Sequence, residues 1–231
     1  GTVIRNLSQE EILELVPNGS IIINCVGMTN VDYAESAPGF AIAMQTNNMW
    51  VSQLANIANK TDSTLIHLSS DYVFDGRSKT PYAEDEPLSP ISKYGLTKAL
   101  GDYSAINADR HYVMRISWLL DLKEQNFVSQ IYTRLNSGNS MDVVNDQFGV
   151  PTFPQDVIEA IDYIIQKRAS YGIYHLTGKG KVVSWFELAR KIAECSGSSL
   201  EQINPVSSFE YFSNREYSAR RPKNSILGTN K

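Results

Sequence analysis

The sequence has few of the residues from which metal sites and disulfide frameworks are built. Two cysteines, Cys25 and Cys195, and three histidines, His67, His111 and His175, are scattered singly along 231 residues. A structural zinc site uses ligands at short, regular spacings, and a disulfide framework uses more cysteines than two. We therefore expect neither kind of site.

Long apolar runs and blocks of like charge are also missing. No stretch approaches the roughly 20 apolar residues that a membrane-spanning helix needs. The chain has 21 basic and 25 acidic residues, for a net charge of -4, and its first residues, GTVIRNLSQEE, are not typical of a targeting segment. We therefore expect a globular, cytoplasmic protein that binds neither nucleic acid nor a membrane.

The first half of the chain alternates short β-type runs with helical patterns. A capping box at Ser8 and Glu11 predicts a first helix. The apolar run Ile21–Ile23 predicts a buried strand, and the continuous apolar character of 64–69 is typical of a parallel sheet covered on both faces. With a strand at 111–117, and with helices at about 36–60 and 93–107, the pattern predicts an α/β fold with a doubly wound parallel sheet, whose ligands lie outside the carboxyl ends of the strands.

The pattern changes after Trp118. Further predicted elements are a helix at about 124–135, a strand at 141–144, a turn region at 146–152, a helix with Val157, Ile158, Ile161, Ile164 and Ile165 on one stripe, a strand at 173–176, and a helix that starts at a capping box of Ser184 and Glu187. We therefore predict a Rossmann-like domain over residues 1–118. A smaller α/β substrate lobe would cover 119–231, with some of its segments returning to the first domain.

A tyrosine four residues before a lysine occurs twice, as Tyr94 with Lys98 and as Tyr163 with Lys167. The spacing by itself is unspecific, although it places both side chains on one helix face. Tyr163 lies in the helix with the apolar stripe, where no polar strand end precedes it, and we interpret that pair as structural. Tyr94 follows a strand that ends in Ser69–Ser70, whose hydroxyls we expect at the carboxyl edge of the sheet.

Ser70, Tyr94 and Lys98 together suit the reduction of a carbonyl group. A hydride that reaches the carbonyl carbon creates an alkoxide, which needs a proton. A tyrosine with a pKa of ~10 is a poor acid near neutrality, and we expect the Lys98 ammonium to lower that pKa. The residues alone leave a second interpretation open, in which Tyr94 is an amphipathic surface residue and Lys98 a solvated charge.

Motifs over nearly the whole chain resemble the extended short-chain dehydrogenase/reductases, and more narrowly the dTDP-4-dehydrorhamnose reductase family. The segments that carry the resemblance are NCVGMTNVDYAES at 24–36, SSDYVFDG at 69–76, YGLTK at 94–98, RISWLL at 115–120, VVNDQFGVPT at 143–152 and ARRPKNSIL at 219–227. The resemblance implies reduction of the 4-keto group of a dTDP-sugar, dTDP-6-deoxy-L-lyxo-4-hexulose, by NADPH or NADH. It also makes Mg²⁺ a candidate second cofactor and a homodimer a candidate assembly.

The resemblance implies roles for single residues. Ser70 would hydrogen-bond the substrate carbonyl, Tyr94 would donate the proton, and Lys98 would tune Tyr94 and hold the nicotinamide ribose. The residues expected at the cofactor are Cys25, Val26, Gly27, Thr29, Tyr94 and Lys98, with Cys25 and Val26 in place of the family's usual alanines. The residues expected at the substrate are Val31, Ser70, Asp71, Trp118 and Arg221.

Some of these positions have a structural alternative. Trp118 could be a core or interface indole instead of a sugar contact. Asp71 and the pair Asp146–Gln147 are expected to brace loops and not to react. Arg220–Arg221 could steer the substrate diphosphate, because arginine makes bidentate phosphate contacts, or could brace a loop.

The glycine-rich turn of G-x-x-G-x-x-G type with which the family opens is absent from this sequence. That turn and the following helix N-terminus bind the cofactor pyrophosphate. We therefore expect some 40 to 60 further residues, a β-α-β unit, ahead of this sequence. Two other functions stay open: a non-catalytic binding subunit similar to the regulatory β subunit of methionine adenosyltransferase, and a related nucleotide-sugar epimerase or dehydratase. Ser70, Tyr94, Lys98 and Trp118 favour the reductase.

Overall fold

A computed structural model describes residues 8–121, 126–213 and 215–231. The helices are α1 Gln9–Leu15, α2 Ala37–Met44, α3 Trp50–Lys60, α4 Lys93–Ala105, α5 Phe127–Asn136, α6 Pro154–Lys167, α7 Trp185–Ser196 and α8 Ser208–Phe212. The strands are β1 Ile21–Asn24, β2 Thr64–Ser70, β3 His111–Ile116, β4 Met141–Val144, β5 Phe148–Gly149, β6 Gly172–Leu176, β7 Val183–Ser184 and β8 Ile203–Val206. A π-helical segment, Gln45–Met49, joins α2 to α3, so the long helix predicted over 36–60 is present with an irregular middle.

The main sheet is parallel and has the strand order β1-β2-β3-β6. Leu65 and Ile66 are neighbours on β2, and their side chains point to opposite faces. Leu65 packs with Leu54 of α3, whereas Ile66 packs with Ile164 of α6. Helices therefore cover both faces of the sheet, and the predicted α/β, Rossmann-like architecture is confirmed.

The predicted burial of β1 is wrong for two of its three isoleucines. Ile21 and Ile23 are each 46% exposed, whereas Ile22 packs in the core beside Leu65. Ile22 points to the face that α3 covers, whereas Ile21 and Ile23 point to the opposite face, which is open beside β1 over the described ranges. Three apolar residues in a row indicated a strand but could not show that one face was open.

Two predictions in the second half of the chain also change. The helix expected from residue 124 begins at Phe127, where Asn126 caps it and accepts a hydrogen bond from the Val128 amide at 2.9 Å. Residues 124 and 125 lie outside the described residues. On α6, Ile158 is 59% exposed although Val157 and Ile164 are buried, because one residue turns a helix by about 100 degrees and carries Ile158 off the buried face.

Residues after 118 contribute to the main sheet and to two small sheets. Strand β6 pairs with β3, while β4 pairs with β8 in parallel and β5 pairs with β7 in antiparallel orientation. Helices α5 and α7 pack on β4 and β8 around Ile131, Met141 and Ala189. A division into two domains at residue 118 stays a prediction.

No helix in the described part of the chain combines the length and the apolar character needed to cross a bilayer.

Candidate active site

Ser70, Tyr94 and Lys98 meet where the carboxyl end of β2 packs against α4. All three side chains are buried. The Lys98 ammonium donates a hydrogen bond to the Leu68 carbonyl of β2 at 2.7 Å, and the Ser70 hydroxyl contacts the Tyr94 phenol. The structure therefore brings together the three residues for which the sequence predicted shared chemistry.

The N-terminus of α4 is anchored so that Tyr94 faces the sheet. Ser92 caps the helix and accepts a hydrogen bond from the Gly95 amide at 3.1 Å, and the Glu35 carboxylate accepts one from the Lys93 amide at 2.9 Å. Gly95 lets the helix approach closely, because a Cβ at this position would lie 2.3 Å from the Tyr72 carbonyl oxygen. The first turn of α4 is thus held against the segment that follows β2.

Tyr94 lies among aromatic and apolar side chains. The Tyr72 ring meets it edge to face, with ring centroids 5.5 Å apart. Ala34 and Ala43 complete a small core around it, against which Val31 packs. Val31, predicted to contact the sugar, is therefore a neighbour of the candidate proton donor.

Burial controls the ionisation of Tyr94 and Lys98. Burial raises the pKa of Tyr94 to about 12, the Ser70 hydrogen bond opposes this, and the Asp71 charge adds to it. Burial lowers the pKa of Lys98 to about 8, against an opposing effect of Asp102. The predicted lowering of the Tyr94 pKa by Lys98 is therefore not seen, because desolvation dominates and the ammonium is directed to the Leu68 carbonyl. Near neutrality the phenol keeps its proton.

Asp71 orients the serine. The Ser70 hydroxyl donates a hydrogen bond to Asp71 Oδ1 at 3.1 Å, and the carboxyl group is buried. Burial raises the pKa of Asp71 to about 6, while hydrogen bonds from Ser225, Ser70 and nearby backbone amides lower it. Asp71, predicted as a substrate contact or a loop brace, thus acts here on the Ser70 hydroxyl.

The segment that follows β1 lies at the same edge of the sheet as Ser70. Cys25, Gly27 and Thr29 are exposed and Val26 is half-buried. Burial of part of its surface raises the pKa of the Cys25 thiol. The predicted cofactor segment therefore presents backbone and small side chains at the carboxyl ends of the strands.

Asn47 was missed by sequence reasoning. This fully buried residue of the π-helical segment accepts a hydrogen bond from the Met28 amide at 2.8 Å and donates to the Met28 carbonyl at 3.1 Å and to the Thr97 hydroxyl at 3.0 Å. It ties the segment after β1 to α4, one residue before Lys98. The polar run QTNN inside a predicted helix was the available signal, and π-helical segments often occur at functional sites.

A cavity of about 210 Å³ opens beside Tyr72. Aromatic side chains, Phe127, Trp185, Tyr211 and Phe212, supply much of its wall, and Arg134 and Arg221 add positive charge. Its position next to the Tyr72–Tyr94 pair suits a ligand whose reacting end reaches the phenol.

Trp118 lies behind this wall. Its indole stacks on Trp185 at a centroid distance of 3.6 Å, and a Cβ on Gly149 would lie 2.5 Å from its ring. Trp118 is not among the residues that line the cavity, whereas Trp185 is. The sugar contact of Trp118 stays a prediction, while its stack on Trp185 fits the structural alternative that the sequence left open.

Arg221 borders the cavity from the C-terminal segment. Its guanidinium pairs with Asp32 at 2.9 Å and lies over the Phe212 ring, 4.0 Å from the centroid. Arg221 also lines a second, larger cavity of about 750 Å³, together with Arg220. Arg221 is therefore both braced and available at a cavity wall.

The loop residues Asp146 and Gln147 behave as predicted for braces. Asp146 accepts a hydrogen bond from the Ser208 amide at 2.8 Å and pairs with Lys223 at 3.0 Å, and Gln147 donates to the Ser208 hydroxyl at 2.8 Å. Within the described ranges, no group of three or more His, Cys, Asp or Glu side chains could hold a metal ion, so the candidate Mg²⁺ finds no such ligand set there.

Comparison with known proteins supports a single family. The sequence-family model described as RmlD substrate binding domain matches residues 6–231. The dTDP-4-dehydrorhamnose reductase of Sinorhizobium fredii is 35% identical, with 98% of this chain and 77% of that protein covered. The enzyme of the same name from Escherichia coli K12 is 33% identical, with 91% and 72% covered.

Solved structures of this family have the same fold as this chain. The dTDP-4-dehydrorhamnose reductase of Bacillus anthracis, determined in complex with NADP, superposes with a TM-score of 0.86 at 31% identity and covers 96% of this chain and 75% of its own. The dTDP-glucose 4,6-dehydratase DesIV of Streptomyces venezuelae, at 16% identity and a TM-score of 0.75, shares the fold.

Proposed function

This chain belongs to the dTDP-4-dehydrorhamnose reductase family, and from that premise we propose that it reduces the 4-keto group of dTDP-6-deoxy-L-lyxo-4-hexulose to give dTDP-L-rhamnose. The observation that carries the proposal is the assembly of Ser70, Tyr94 and Lys98 beside an aromatic cavity. A hydroxyl, a protonated phenol and a buried ammonium are the groups that carbonyl reduction requires.

The phenol and the serine hydroxyl act on the same oxygen atom of the substrate. Ser70 and Tyr94 bind the keto oxygen, and Tyr94 transfers its proton to that oxygen as negative charge develops there. The pKa of about 12 keeps the phenol protonated until the more basic alkoxide forms. Lys98, charged below about pH 8, stabilises the phenolate that remains.

A nicotinamide cofactor fits the residues at this sheet edge. It supplies the hydride when bound. Cys25, Gly27 and Thr29 are small, exposed residues, and Lys98 supplies a buried donor one helix turn from Tyr94. We propose that these groups hold the nicotinamide and its ribose, and that the cofactor is NADPH, because the Bacillus anthracis relative was determined with NADP.

The nucleotide end of the substrate suits the cavity beside Tyr72. Flat aromatic side chains such as Trp185 and Phe212 provide faces for a base, and Arg221 provides a bidentate donor for a diphosphate. We propose that residues 1–118 mainly bind the cofactor and residues 119–231 mainly the sugar nucleotide. The cytoplasmic location and the homodimer stay predictions, and Mg²⁺ has no part in the proposal.

The direct test is to incubate the full-length protein with NADPH and dTDP-6-deoxy-L-lyxo-4-hexulose, following cofactor oxidation and identifying the product by NMR. We expect stoichiometric formation of dTDP-L-rhamnose. A second reaction with dTDP-4-keto-6-deoxy-D-glucose is the control, because a 32% identical Streptomyces niveus relative is named a reductase of that sugar. If neither sugar leads to cofactor oxidation, the proposal is contradicted and a non-catalytic subunit is favoured.

A further inference from the structure

Helix α4 carries a third buried polar residue on the face that holds Tyr94 and Lys98. Asp102 follows Lys98 by four residues and Tyr94 by eight, so the three lie in one row that extends about 12 Å along the helix. Only 2% of Asp102 is exposed. The hydride and proton transfers proposed above do not use it.

Asp102 is held in place by a buried cation. Its Oδ2 atom pairs with Arg115 Nε of β3 at 2.9 Å. Arg115 also donates to the Glu84 carbonyl at 3.0 Å and contacts His175 Nε2 at 3.3 Å. A buried ion pair is a poor source of stability compared with apolar packing, so stability alone does not account for this arrangement.

Three further polar atoms of α4 and β2 are buried without a strong hydrogen bond. Within the part of the chain that the structure describes, Asp102 Oδ1, Ser69 Oγ and His67 Nε2 make no hydrogen bond of full strength and ordinary geometry. A weak hydrogen bond from the Ser69 hydroxyl lowers the pKa of Asp102, and the Lys98 charge acts on both Asp102 and His67. Lys98 therefore shares a buried polar region with Asp102 and His67.

The His67 ring offers a donor to this cluster. Asn24 Oδ1 accepts a hydrogen bond from the Val26 amide, which leaves Asn24 Nδ2 to donate to His67 Nδ1 at 3.0 Å. The hydrogen of the neutral ring is then on Nε2. A ring N–H, a hydroxyl and a carboxylate oxygen are the kinds of partner that a buried water molecule uses.

Asp102 also borders a separate pocket. Asp102 and Arg115 line an opening of about 190 Å³ whose other walls include Glu84, Asp85 and Glu86. None of its lining residues belongs to the cavity beside Tyr72. Asp102 thus lies between Lys98 and an acidic opening that a substrate at Tyr94 would not cover.

We propose that Asp102 is a positioning residue that delivers protons from this acidic pocket to Lys98 and, through Lys98, to Tyr94. The proposal rests on the reductase function, in which every turnover moves one proton from Tyr94 to the product. Lys98 returns a proton to the phenolate and becomes a neutral amine. The amine takes a proton from a water molecule that enters past Asp102, and the hydroxide that remains is neutralised by a proton from the solvent in the pocket. One solvent proton is therefore consumed for each carbonyl reduced.

The pKa shifts of Lys98 and Asp102 are consistent with this proton path. The pKa of Lys98, lowered by burial to about 8, lets it lose and regain a proton near neutrality, and the Asp102 charge opposes that lowering. Burial raises the pKa of Asp102, and the Arg115 charge lowers it. Asp102 of α4 and His67 of β2 interact electrostatically with Lys98, the Leu68 carbonyl of β2 accepts its hydrogen bond, and Tyr94 lies one helix turn away. Arg115 of β3 acts on Lys98 through Asp102.

The test compares the first turnover with later ones in the full-length Asp102→Asn variant by stopped-flow measurement of NADPH oxidation. The first turnover uses the proton already on Tyr94, so we expect its rate to stay within about threefold of wild type. In later turnovers the return of a proton to Tyr94 limits the rate, and we expect kcat to fall at least ~10-fold. We expect kcat to decrease further in D₂O. Equal losses in the first and later turnovers would overturn the proposal.

Two further variants separate proton delivery from damage to the fold, since Asp102→Asn leaves the Arg115 charge unpaired. Asp102→Asn combined with Arg115→Met removes both charges, and Ile106→Trp fills the pocket mouth from a partly exposed position that leaves the ion pair intact. We expect both to slow later turnovers selectively, and unchanged later turnovers in both would contradict the path.

The role of Asp102 can also be tested if the wild-type protein shows no reductase activity. If the wild-type protein reduces neither sugar, the proposed function fails, and the Lys98 titration can still be measured by ¹⁵N NMR. We expect Asp102→Asn to lower the pKa of Lys98. An identical titration in wild type and variant would show that Asp102 does not act on Lys98.

Discussion

Helices α4 and α6 carry the same Tyr-x-x-x-Lys spacing but place it in different surroundings. Tyr94 of α4 is 8% exposed and lies against the end of β2, whereas Tyr163 of α6 is 61% exposed. Lys98 is buried and donates to a strand carbonyl, whereas Lys167 is exposed in the last turn of its helix. Identical local sequence patterns therefore produce one candidate reaction centre and one solvated pair.

The two helices differ in which residues they turn toward the sheet. Helix α6 buries Val157 and Ile164, so its tyrosine points to solvent. Helix α4 buries Tyr94, Lys98 and Asp102 instead. Burying titratable groups costs free energy unless they are paired, so a helix that does so three times on one face indicates a function for them.

The sharpest way to test this contrast is to remove the two phenol hydroxyls separately. Tyr94→Phe should lower kcat/KM by about 10²- to 10⁴-fold, because the positioned proton donor is lost. Tyr163→Phe is the matched control and should change it less than about twofold. Steady-state kinetics with cofactor titration checks both, and we expect Tyr94→Phe to bind NADPH normally. Equal losses from the two substitutions would refute the contrast.

Removing the two lysines should separate activity from stability. Lys98→Met should lower kcat/KM by about 10²-fold, because the charge that stabilises the phenolate is lost. Its melting temperature should stay close to that of wild type, because the substitution also removes the desolvation cost of a buried ammonium. Lys167→Met should leave both quantities unchanged. A Lys98→Met protein that fails to fold would show a structural role instead.

The pH dependence of activity and that of stability should run in opposite directions above pH 8. Activity should fall about tenfold per pH unit there, because Lys98 loses its proton with a pKa of about 8. The folded-state pKa of Lys98 lies below its ordinary value of 10.5, so the unfolded chain binds more protons between these values. The Lys98 contribution to the free energy of unfolding therefore increases from pH 8 to 10.5 and is lost as the pH falls back to 8.

Chemical denaturation across this range, with Lys98→Met as the reference, checks the stability half of the prediction. The difference between the two proteins should change with pH only above about pH 8. A difference that is constant up to pH 10.5 would mean that Lys98 titrates as it does in the unfolded chain.

The smallest expected effects concern the two helix N-termini. Ser92→Ala removes the cap of α4 and should lower the free energy of unfolding by about 1 kcal/mol. Asp156→Ala removes the side chain that accepts the Phe153 amide at the start of α6, at a similar or smaller cost. Thermal unfolding measures both. Only Ser92→Ala should also lower kcat/KM, because Tyr94 lies two residues after the cap.

Local patterns were sufficient for the elements that depend on neighbours in sequence. The strand Met141–Val144 and the capping boxes at Ser8 and Ser184 were predicted and are present. The choice of Tyr94 over Tyr163 also came from the sequence, because a predicted strand with a polar end precedes the Tyr94 helix and none precedes the Tyr163 helix. Periodicity and capping act over a few residues, so a single sequence shows them.

Only the tertiary structure decided the features that depend on distant partners. The Trp118–Trp185 stack, the Asn47 bridge to the Met28 backbone and the Asp102–Arg115 pair join residues that are 67, 19 and 13 positions apart. The pKa of Tyr94 likewise depends on how completely several elements exclude water around it. Sequence alone determined which helix carries the candidate acid, whereas packing determined its ionisation and its neighbours, because desolvation and long-range contacts arise only when the elements assemble.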